Sequence, residues 1–380
     1  MITLINASAH DTGLDALSVH CIVTSPPYWG LRAYAGEQRI EWPAVEYSPM
    51  PGLPALSIPA MTCGLGEETT PEAYIGHMIL VMREMWRVLR DDGTCWVNLG
   101  DSYNNFRVST NGQSVHNGEQ RDKPAGRRAV SHNLKEKDLC LIPARFALAA
   151  QADGWYIRND IIWAKPNPMP ESVTDRCTKA HEYVWLMAKS QRYFYDAEAV
   201  KEEGSDNEAT KARNCRSDVG LVGTRGLYGT REGQSGAGGY ERTPNTTRSR
   251  RSVWNIATSP YSGAHFATWP PKLVAPMILA GTSARGVCPA CGAPWERVVE
   301  KEWVKHPNGL GNGTETKDLQ QHQRGETSAF RTGGSNTSTT TGWRPTCECP
   351  AADPIPATVL DPFNGSGTSG TVALDLGRAY

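Results

Sequence analysis

The segment that most constrains the fold lies at the end of the chain, where residues 357–380 read ATVLDPFNGSGTSGTVALDLGRAY. A short apolar strand runs to Asp361, a turn with Gly365 and Gly367 follows, and a helix with an apolar face comes next. Glycines allow a backbone to approach a ligand closely, and a helix N-terminus attracts a carboxylate or phosphate group. The segment therefore predicts an α/β fold with a nucleotide-type pocket.

A second motif, TSPPYWGLR, directly follows an apolar run near the start of the chain. Proline has no N–H group to donate to a β-ladder, so Pro26 and Pro27 must end the strand and stiffen the loop. The loop offers the Ser25 hydroxyl, free carbonyl groups and the exposed rings of Tyr28 and Trp29. It predicts a pocket for a flat molecule with N–H donors, although a bare Pro-Pro-Tyr also suits an ordinary strand exit with surface aromatic residues.

Composition limits the possible partners. The 380 residues carry 39 Lys plus Arg and 40 Asp plus Glu, so a net charge of −1 gives no global attraction to nucleic acid or membrane. No apolar run approaches the roughly 18 residues of a membrane span, and the first residues do not resemble a signal peptide. Most of the ten cysteines are scattered singly, as expected of reduced thiols. We expect a soluble intracellular protein in the cytoplasm.

The first 200 residues alternate strand and helix patterns, which predicts an α/β sheet. The clearest helix begins near Thr69, whose spacing from Glu72 suits a capping box, with Pro71 in the first turn. An Asp-Asp-Gly turn at 91–93 then leads into the strand TCWVNLGD. Later strands are predicted at WYIRNDIIW and EYVWLM, which are residues 155–163 and 182–187.

The segment 204–252 consists mainly of Gly, Arg, Ser, Thr and Asn and has almost no periodicity. Between residues 211 and 251, nine basic residues stand against three acidic ones, a local charge of +6. Such a segment is either a solvated linker or a surface that contacts a nucleic-acid backbone, and composition alone slightly favours the linker.

Four cysteines are paired, as Cys288-Pro-Ala-Cys291 and Cys347-Glu-Cys349. Two such pairs can present four thiolates to a tetrahedral zinc ion. The 55 residues between the pairs are many for a zinc ribbon, and four free thiols are the alternative. Zinc held in this way would be structural, closing a loop with no open coordination position.

Taken together, the early Thr-Ser-Pro-Pro-Tyr and the late Asp-Pro-Phe-x-Gly-Ser-Gly-Thr resemble the S-adenosylmethionine-dependent DNA amino-methyltransferases in their permuted beta arrangement. In that arrangement the catalytic motif precedes the glycine loop, unlike the order in protein-glutamine and ribosomal methyltransferases. The resemblance covers most of the chain, since RNDIIWAKPNPMPES and HEYVW are similar to later sheet strands and residues 265–279 to the helix completing the cofactor site.

The resemblance implies a Rossmann-like methyltransferase sheet with circularly permuted motif order, a basic target-recognition insertion and a small zinc-ribbon-like insertion. The implied divisions are residues 1–203 for the catalytic part, 204–252 for target recognition, 253–281 for the cofactor-site helix, 282–352 for the zinc-binding insertion and 353–380 for the glycine-loop segment. It also favours DNA contact over the linker for the basic segment.

The implied site residues fall into four groups. The catalytic residues would be Ser25, Pro26, Pro27 and Tyr28. The cofactor-binding residues would be Thr24, Phe266, Thr268, Asp361, Pro362, Phe363, Gly365, Gly367 and Thr368. The DNA-binding residues would be Arg225, Arg231, Arg248, Arg250 and Arg251. The metal ligands would be Cys288, Cys291, Cys347 and Cys349.

The expected reaction moves a methyl group from S-adenosylmethionine to the exocyclic amino group of a base rotated out of double-stranded DNA. The Ser25 hydroxyl and the Pro26 carbonyl would accept the two amino hydrogens, and Tyr28 would stack on the base. Family members with Ser at this position mostly act on cytosine, so the 4-amino group of cytosine is favoured over the 6-amino group of adenine. The host would be a bacterial or phage-infected cell, with a possible restriction endonuclease as partner.

Two positions depart from the family pattern. Ser8 stands where an aspartate usually contacts the cofactor's adenine, and the acid expected roughly 20 residues after the glycine-turn strand is missing because the chain stops at Tyr380. The chain would then be truncated, or another segment would supply the contact to the ribose. These departures leave an alternative, a catalytically impaired DNA-binding zinc protein on a methyltransferase scaffold. The sequence makes no prediction about the oligomeric state.

Overall fold

The computed structural model describes residues 2–30, 39–104, 133–203, 247–259, 269–305 and 334–380. The chain forms two compact units. The first unit contains Met1–Val200, Arg251–Glu296 and Trp343–Tyr380, and the second contains Lys201–Arg250 and Arg297–Gly342. Both sequence motifs and all four paired cysteines belong to the first unit. The five-part division expected from the sequence stays a prediction.

The strands and helices of the described residues are numbered in chain order. The strands are β1 (Val19–Thr24), β2 (Ile40–Trp42), β3 (Val45–Tyr47), β4 (Leu56–Ile58), β5 (Met61–Cys63), β6 (Leu89–Leu99), β7 (Tyr156–Ala164), β8 (His181–Ala188), β9 (Glu202–Glu203), β10 (Thr247–Arg248), β11 (Val253–Asn255), β12 (Trp295–Lys305), β13 (Gly334–Pro345) and β14 (Val359–Leu360). The helices are α1 (Pro71–Val88), α2 (Ile142–Ala152), α3 (Pro271–Gly281) and α4 (Thr368–Asp375), with a short 3₁₀ helix at Glu198–Val200.

Six strands form the central sheet in the order β11-β7-β8-β6-β1-β14. Strand β1 pairs in parallel with β6 and β14, β11 pairs in parallel with β7, and β8 is antiparallel to both of its neighbours. The expected α/β class is confirmed as a mixed sheet. The remaining strands form two-stranded sheets, β2-β5, β3-β4, β9-β10 and β12-β13.

Apolar residues cover both faces of this sheet. Along β1, Ile22 belongs to one buried cluster together with α1 and α2, whereas Cys21 and Val23 belong to a second cluster together with α3 and α4. Successive strand side chains point to opposite faces, so one apolar strand supports two layers of helices. None of the helices within the described ranges has the length and hydropathy needed to cross a membrane.

Helix α1 begins one residue later than predicted. The side chain of Thr70, not Thr69, caps the helix by accepting a hydrogen bond from the Ala73 N–H at 3.1 Å, and Pro71 is the first helical residue. Glu72 therefore does not complete a capping box. Its carboxylate instead forms an ion pair with Arg145 of α2 at 3.1 Å, which links the two helices.

The Asp-Asp-Gly turn predicted at 91–93 is also wrong, because these residues lie inside β6. The pairing of β1 moves from Leu89 directly to Thr94, so the intervening residues form an irregularity in the strand. A Cβ atom at Gly93 would lie 2.6 Å from Leu89 and 2.9 Å from the His20 carbonyl oxygen, so glycine allows this close approach. The strands predicted at 155–163 and 182–187 are confirmed as β7 and β8.

Candidate active site

The candidate site lies at one edge of the central sheet. The carboxyl ends of β1, β6, β7 and β14 meet there, and the antiparallel β8 begins at the same edge. This arrangement brings together polar residues from distant parts of the chain, namely Ser25, Asn98, Lys165, Glu182 and Asp361. In open α/β sheets, ligands bind outside the carboxyl ends of the strands, so this edge is where a substrate is expected.

The loop after β1 is held from behind by the backbone and by α1. The Tyr74 hydroxyl of α1 donates to the Pro27 carbonyl at 2.9 Å, and the Gly30 N–H donates to the Gly66 carbonyl at 2.9 Å. Among the described residues, no donor reaches the carbonyl of Pro26. Ser25 is half-buried and Pro26 is buried, so the loop offers the Ser25 hydroxyl and, within the described residues, one carbonyl without a hydrogen-bond donor.

The Ser25 hydroxyl belongs to a polar cluster of five side chains. The Tyr28 hydroxyl donates to Glu182 Oε2 at 2.8 Å, and Asn98 Nδ2 lies 2.6 Å from the Tyr28 oxygen and 2.9 Å from Glu182 Oε2. Ser25 Oγ lies 3.4 Å from both the Tyr28 oxygen and Asn98 Nδ2. Lys165 donates to the other oxygen of Glu182. Burial, and then the charge of Glu182, raises the pKa of Tyr28.

The two aromatic residues of the loop behave differently, and the expectation that both are exposed is wrong for Trp29. Trp29 is 1% exposed, packs in the core and donates from Nε1 to the Glu68 carbonyl at 2.9 Å. Tyr28 is half-buried, and its ring lies against Gly100, where a Cβ atom would come within 2.5 Å of Tyr28 Cε2. Gly100 therefore provides the space that the Tyr28 ring occupies.

A second loop, which neither sequence motif indicates, supports the first. Gly66 has a φ of +94°, and a Cβ atom there would lie 2.8 Å from the Tyr28 carbonyl oxygen. Glu68 accepts from the Gly66 N–H at 2.7 Å and lies 2.8 Å from His77 of α1, with both side chains fully buried. The His77 ring also stacks on Trp42 at a centroid distance of 4.5 Å. The pair of glycines before two acidic residues in GLGEE was the available sequence signal.

Asp361 connects the two motifs directly. One carboxylate oxygen accepts from the Thr24 hydroxyl at 2.7 Å and the Phe363 N–H at 3.0 Å, and the other accepts from the Ser369 hydroxyl at 2.6 Å. Burial raises the pKa of this carboxyl above its ordinary value. Thr24 and Asp361 are thus hydrogen-bonded to each other, and their expected contact with a cofactor stays a prediction.

The glycine turn has the form that the sequence predicts. Gly365 and Gly367 have φ values of +52° and +79°, and α4 begins at Thr368 directly after them. Positive φ values favour glycine at both positions, because a Cβ atom strains this backbone conformation.

A cavity of about 200 Å³ lies between the two motifs. Its lining residues are Ala7, Ser8, Ala9, Pro27, Arg39, Ile40, Trp42, Gly64, Leu65, Glu67, Pro362 and Phe363. The apolar wall includes Pro362 and Phe363, and the charged groups are Arg39 and Glu67, which lie 3.9 Å apart. Ser8, singled out by its departure from the family pattern, does line the cavity. Phe266 and Thr268 lie outside the described residues.

The four paired cysteines come together, with their sulfur atoms all within 4.8 Å of one another. Cys288 is buried, Cys291 is exposed, and Cys347 and Cys349 are half-buried. The N–H groups of Cys291 and Ala290 point at the Cys288 sulfur and lower its pKa to about 7. The chain turns tightly here, since Gly292 has a φ of +72°.

The expected DNA-contacting arginines are only partly described. Arg225 and Arg231 lie outside the described residues. In the second unit, Arg248 forms an ion pair with Glu202 at 3.2 Å, and Arg250 is half-buried. In the first unit, the carbonyl of Arg251 accepts from Trp254 Nε1 at 2.8 Å. Their contact with DNA stays a prediction.

Comparisons with known proteins agree with this arrangement. A DNA methylase family of N6 and N4 methyltransferases matches residues 19–288. The chain is 38% identical over 273 residues to the Type II methyltransferase M.Cfr9I of Citrobacter freundii, covering 71% of this chain and 68% of that protein. It is 35% identical over 280 residues to the Type II methyltransferase M.SmaI of Serratia marcescens, covering 72% of each chain.

The chain therefore belongs to the N6/N4 DNA methylase family. It is an S-adenosylmethionine-dependent DNA amino-methyltransferase, as the two sequence motifs predicted. Among solved structures, the cytosine-N4-specific PvuII DNA methyltransferase matches at 12% identity, over 73% of this chain and 69% of that chain, with a TM-score of only 0.40.

Proposed function

We propose that this enzyme methylates the exocyclic amino group of a base rotated out of double-stranded DNA, and that the base is cytosine. The observation that carries the proposal is the loop after β1, where the half-buried Ser25 is followed by Pro26, whose carbonyl accepts from no donor among the described residues. A base inside the helical stack keeps its amino group out of reach, so the base must leave the duplex. No observation favours the alternative of a catalytically impaired DNA-binding protein.

The chemistry requires positioning more than strong acid or base catalysis. The lone pair of an exocyclic amino nitrogen is delocalised into the ring, which makes the nitrogen a poor nucleophile. When Ser25 Oγ and the Pro26 carbonyl accept its two hydrogens, the nitrogen can pyramidalise and direct its lone pair at the methyl group. The Tyr74 hydroxyl donates to the Pro27 carbonyl, so the Pro26 carbonyl is the acceptor that remains beside Ser25. Tyr28, backed by Gly100, would stack on the base.

The cavity between the motifs suits S-adenosylmethionine, which supplies an electrophilic methyl group when bound. Phe363 and Pro362 offer an apolar wall for the adenine ring, and Glu67 offers a carboxylate for the ribose hydroxyls, as acidic residues do in dinucleotide folds. The positive-φ turn at Gly365 and Gly367 lets the backbone approach the ligand. Together these features support a Rossmann-like sheet with permuted motif order.

The choice of cytosine rests on Ser25. A hydroxyl can accept from an amino group and donate elsewhere, whereas a carboxylate only accepts. Family members with Ser at this position mostly act on the 4-amino group of cytosine. We therefore expect 4-methylcytosine when DNA methylated by this enzyme is digested to nucleosides and analysed by mass spectrometry. Finding 6-methyladenine instead would overturn the base assignment and leave the amino-methyltransferase assignment intact.

DNA contact is proposed for the basic segment 204–252. Each phosphate that a basic side chain neutralises releases counterions, so DNA affinity should fall steeply with salt concentration. Changing Arg248, Arg250 and Arg251 together to Ala should reduce that salt dependence, and an unchanged slope would make the segment a linker. Because the relatives are Type II methyltransferases, a restriction endonuclease of the same sequence specificity is the proposed partner.

Zinc is proposed for the four-cysteine cluster in a structural role. Four sulfur atoms within 4.8 Å of one another match the compact, all-thiolate set that tetrahedral zinc prefers, and such a closed set leaves no position for a substrate. Elemental analysis of protein purified without chelators should give about one zinc per chain. Replacing Cys288 and Cys291 by Ser should remove that metal, whereas replacing the single Cys177 should not. Metal-free wild-type protein with four reactive thiols would refute the site.

A further inference from the structure

We propose that Ser25, Tyr28 and Glu182 form a hydrogen-bond chain in which every hydroxyl donates toward Glu182. Glu182 thereby keeps the Ser25 oxygen available as an acceptor for the target amino group. It also takes up the proton that the amino group loses. The inference rests on the proposed function, and it assigns a role to a residue outside both sequence motifs. Glu182 acts through Tyr28 and Ser25, so it is a positioning residue.

The direction of the chain follows from the donors and acceptors available. An ionised carboxylate only accepts, so the single hydrogen of the Tyr28 hydroxyl must point at Glu182 Oε2, 2.8 Å away. Asn98 must turn its amide nitrogen toward the same oxygen, at 2.9 Å. The Tyr28 oxygen is then left as an acceptor.

Ser25 is the next member of the chain. Its oxygen lies 3.4 Å from the Tyr28 oxygen, a long contact of the kind that tightens when a substrate binds. Because the Tyr28 hydrogen is already committed to Glu182, Ser25 must be the donor in this contact. The Ser25 hydrogen therefore points inward. Asn98 Nδ2 lies 3.4 Å from Ser25 Oγ and can donate to one of its lone pairs, which leaves the other lone pair for the amino group.

Lys165 fixes the carboxylate at the end of the chain. It forms an ion pair with Glu182 Oε1, and its Nζ lies 4.2 Å from the centroid of the Trp163 ring. The side chains of Lys165 and Glu182 are only 18% and 16% exposed, so solvent screens this pair weakly. This geometry holds the two Glu182 oxygens in separate roles, one toward Lys165 and one toward Tyr28.

Other charged groups surround Glu182 at the sheet edge. Lys179, on the segment leading into β8, interacts electrostatically with both Glu182 and Lys165 and donates to the Asp101 carbonyl at 2.8 Å. Asp101 follows β6, and burial raises the pKa of its carboxyl. His181 is adjacent in the chain. The groups facing Glu182 are thus Lys165 directly after β7, Lys179 before β8, Tyr28 from the loop after β1, and Asn98 from β6.

The same hydrogen-bond chain offers a route for the proton that leaves the methylated amino group. The amino nitrogen gains the methyl carbon as the donor's carbon–sulfur bond breaks, with the bonding electron pair remaining on sulfur. The nitrogen then carries a positive charge and releases one hydrogen to Ser25 Oγ, the Ser25 hydrogen moves to Tyr28, and the Tyr28 hydrogen moves to Glu182. One proton ends on the carboxylate and reaches water through its exposed part, and Ser25 and Tyr28 are neutral again.

The test compares single-turnover methyl transfer by wild type, Glu182→Gln, Glu182→Asp and Tyr28→Phe. Glutamine has the shape of glutamate but can donate to the Tyr28 oxygen. This reverses the direction of the hydrogen bonds and turns the Ser25 hydrogen outward. We expect about a 10²-fold loss of rate in E182Q, the usual size for a positioned proton-transfer group, with affinities for S-adenosylmethionine and DNA within a few-fold of wild type. E182D keeps the charge and should recover part of the rate.

Two further readouts separate this role from a merely structural one. The loss in E182Q should appear in the rate of methyl transfer alone, whereas a structural defect would also weaken the binding of S-adenosylmethionine and DNA. Tyr28→Phe keeps the ring and breaks the chain, so its loss should match that of E182Q, and the double variant should be no slower than either single variant. Glu296→Gln, which also loses an ion pair, with Arg344, is the matched control and should transfer normally.

The outcomes are distinguishable. A wild-type enzyme that binds S-adenosylmethionine but transfers no methyl group to DNA would overturn the proposed function, and this inference with it. An active wild type with E182Q or Y28F at more than half its rate would overturn the inference alone. If E182Q fails to fold, as judged by its melting temperature, the double variant Y28F/E182D replaces it. Losses of rate that add up in that double variant would refute the hydrogen-bond chain.

Discussion

Asp361 and Glu182 are both largely buried carboxylates at the same sheet edge, yet their partners differ. Asp361 accepts from two hydroxyls and one backbone N–H, all neutral groups that the fold already holds in place. Glu182 accepts from Tyr28 and Asn98, and it pairs with the charged Lys165 beside Ser25. We therefore expect the loss of Asp361 to affect mainly stability and the loss of Glu182 to affect mainly methyl transfer.

The largest expected effect belongs to Tyr28, the link between Glu182 and Ser25. Tyr28→Ala removes both the stacking surface for a flipped base and the hydrogen-bond chain, so we expect about a 10³-fold loss of methyl transfer. Phosphate contacts are untouched, so DNA affinity should stay within a few-fold of wild type. Initial rates with tritium-labelled methyl donor and fluorescence anisotropy measure the two quantities. Tyr156→Ala, an exposed tyrosine on β7, is the control, and full activity of Tyr28→Ala would contradict the site.

The next effect concerns Asp361 and should appear in stability. Asp361→Ala leaves the hydroxyls of Thr24 and Ser369 and the N–H of Phe363 without their acceptor in a buried place. We expect the free energy of unfolding in urea to fall by about 3 kcal/mol, the order expected for leaving several buried donors unsatisfied. The exposed Asp353→Ala is the control. A variant of unchanged stability that loses only cofactor affinity would reverse the assignment of Asp361.

A smaller effect is expected when Tyr28 is moved rather than removed. Gly100→Ala adds a Cβ atom 2.5 Å from Tyr28 Cε2, so the ring must shift away from its position between Ser25 and Glu182. We expect about a tenfold loss of methyl transfer with a destabilisation of about 1 kcal/mol, as is usual for mild overpacking. Gly342→Ala, where a Cβ atom meets nothing within 4 Å, should change neither quantity. An unaffected rate in Gly100→Ala would mean that the Tyr28 position is not critical.

The sequence predicted the elements that are encoded locally. Two prolines after an apolar run end β1, and glycines of positive φ form the turn before α4. The two cysteine pairs, each recognisable by its own short spacing, meet in one cluster. The position of Trp29 was not predictable in this way, because its partner is the Glu68 carbonyl, 39 residues later in the chain. An aromatic residue after a proline gives no information about which side of the loop it faces.

The polar cluster around Glu182 was not predictable for a similar reason. Asn98 and Glu182 are 84 residues apart, and they meet only because β8 runs antiparallel to β6 in a particular register. A shift of that register by one residue would turn Glu182 to the other face of the sheet. The available signal was a glutamate at the start of a predicted strand in HEYVW, which gains meaning only once the neighbouring strands are known.

The smallest expected effect is the contribution of Asp361 to the pH dependence of stability. Burial raises the pKa of Asp361, so the folded protein keeps this proton at pH values where the unfolded chain, with an ordinary pKa of about 4, has released it. The native state then binds more protons than the unfolded state, and the contribution of Asp361 to the free energy of unfolding falls as the pH rises through that window.

Asp361→Asn removes the titration and keeps an oxygen for Thr24 and Phe363, while the Ser369 hydroxyl can turn to accept. Urea unfolding between about pH 4 and about pH 7 should therefore show wild type losing stability relative to Asp361→Asn as the pH rises. Parallel stability curves would mean that the hydrogen bonds to Asp361 offset the effect of its burial.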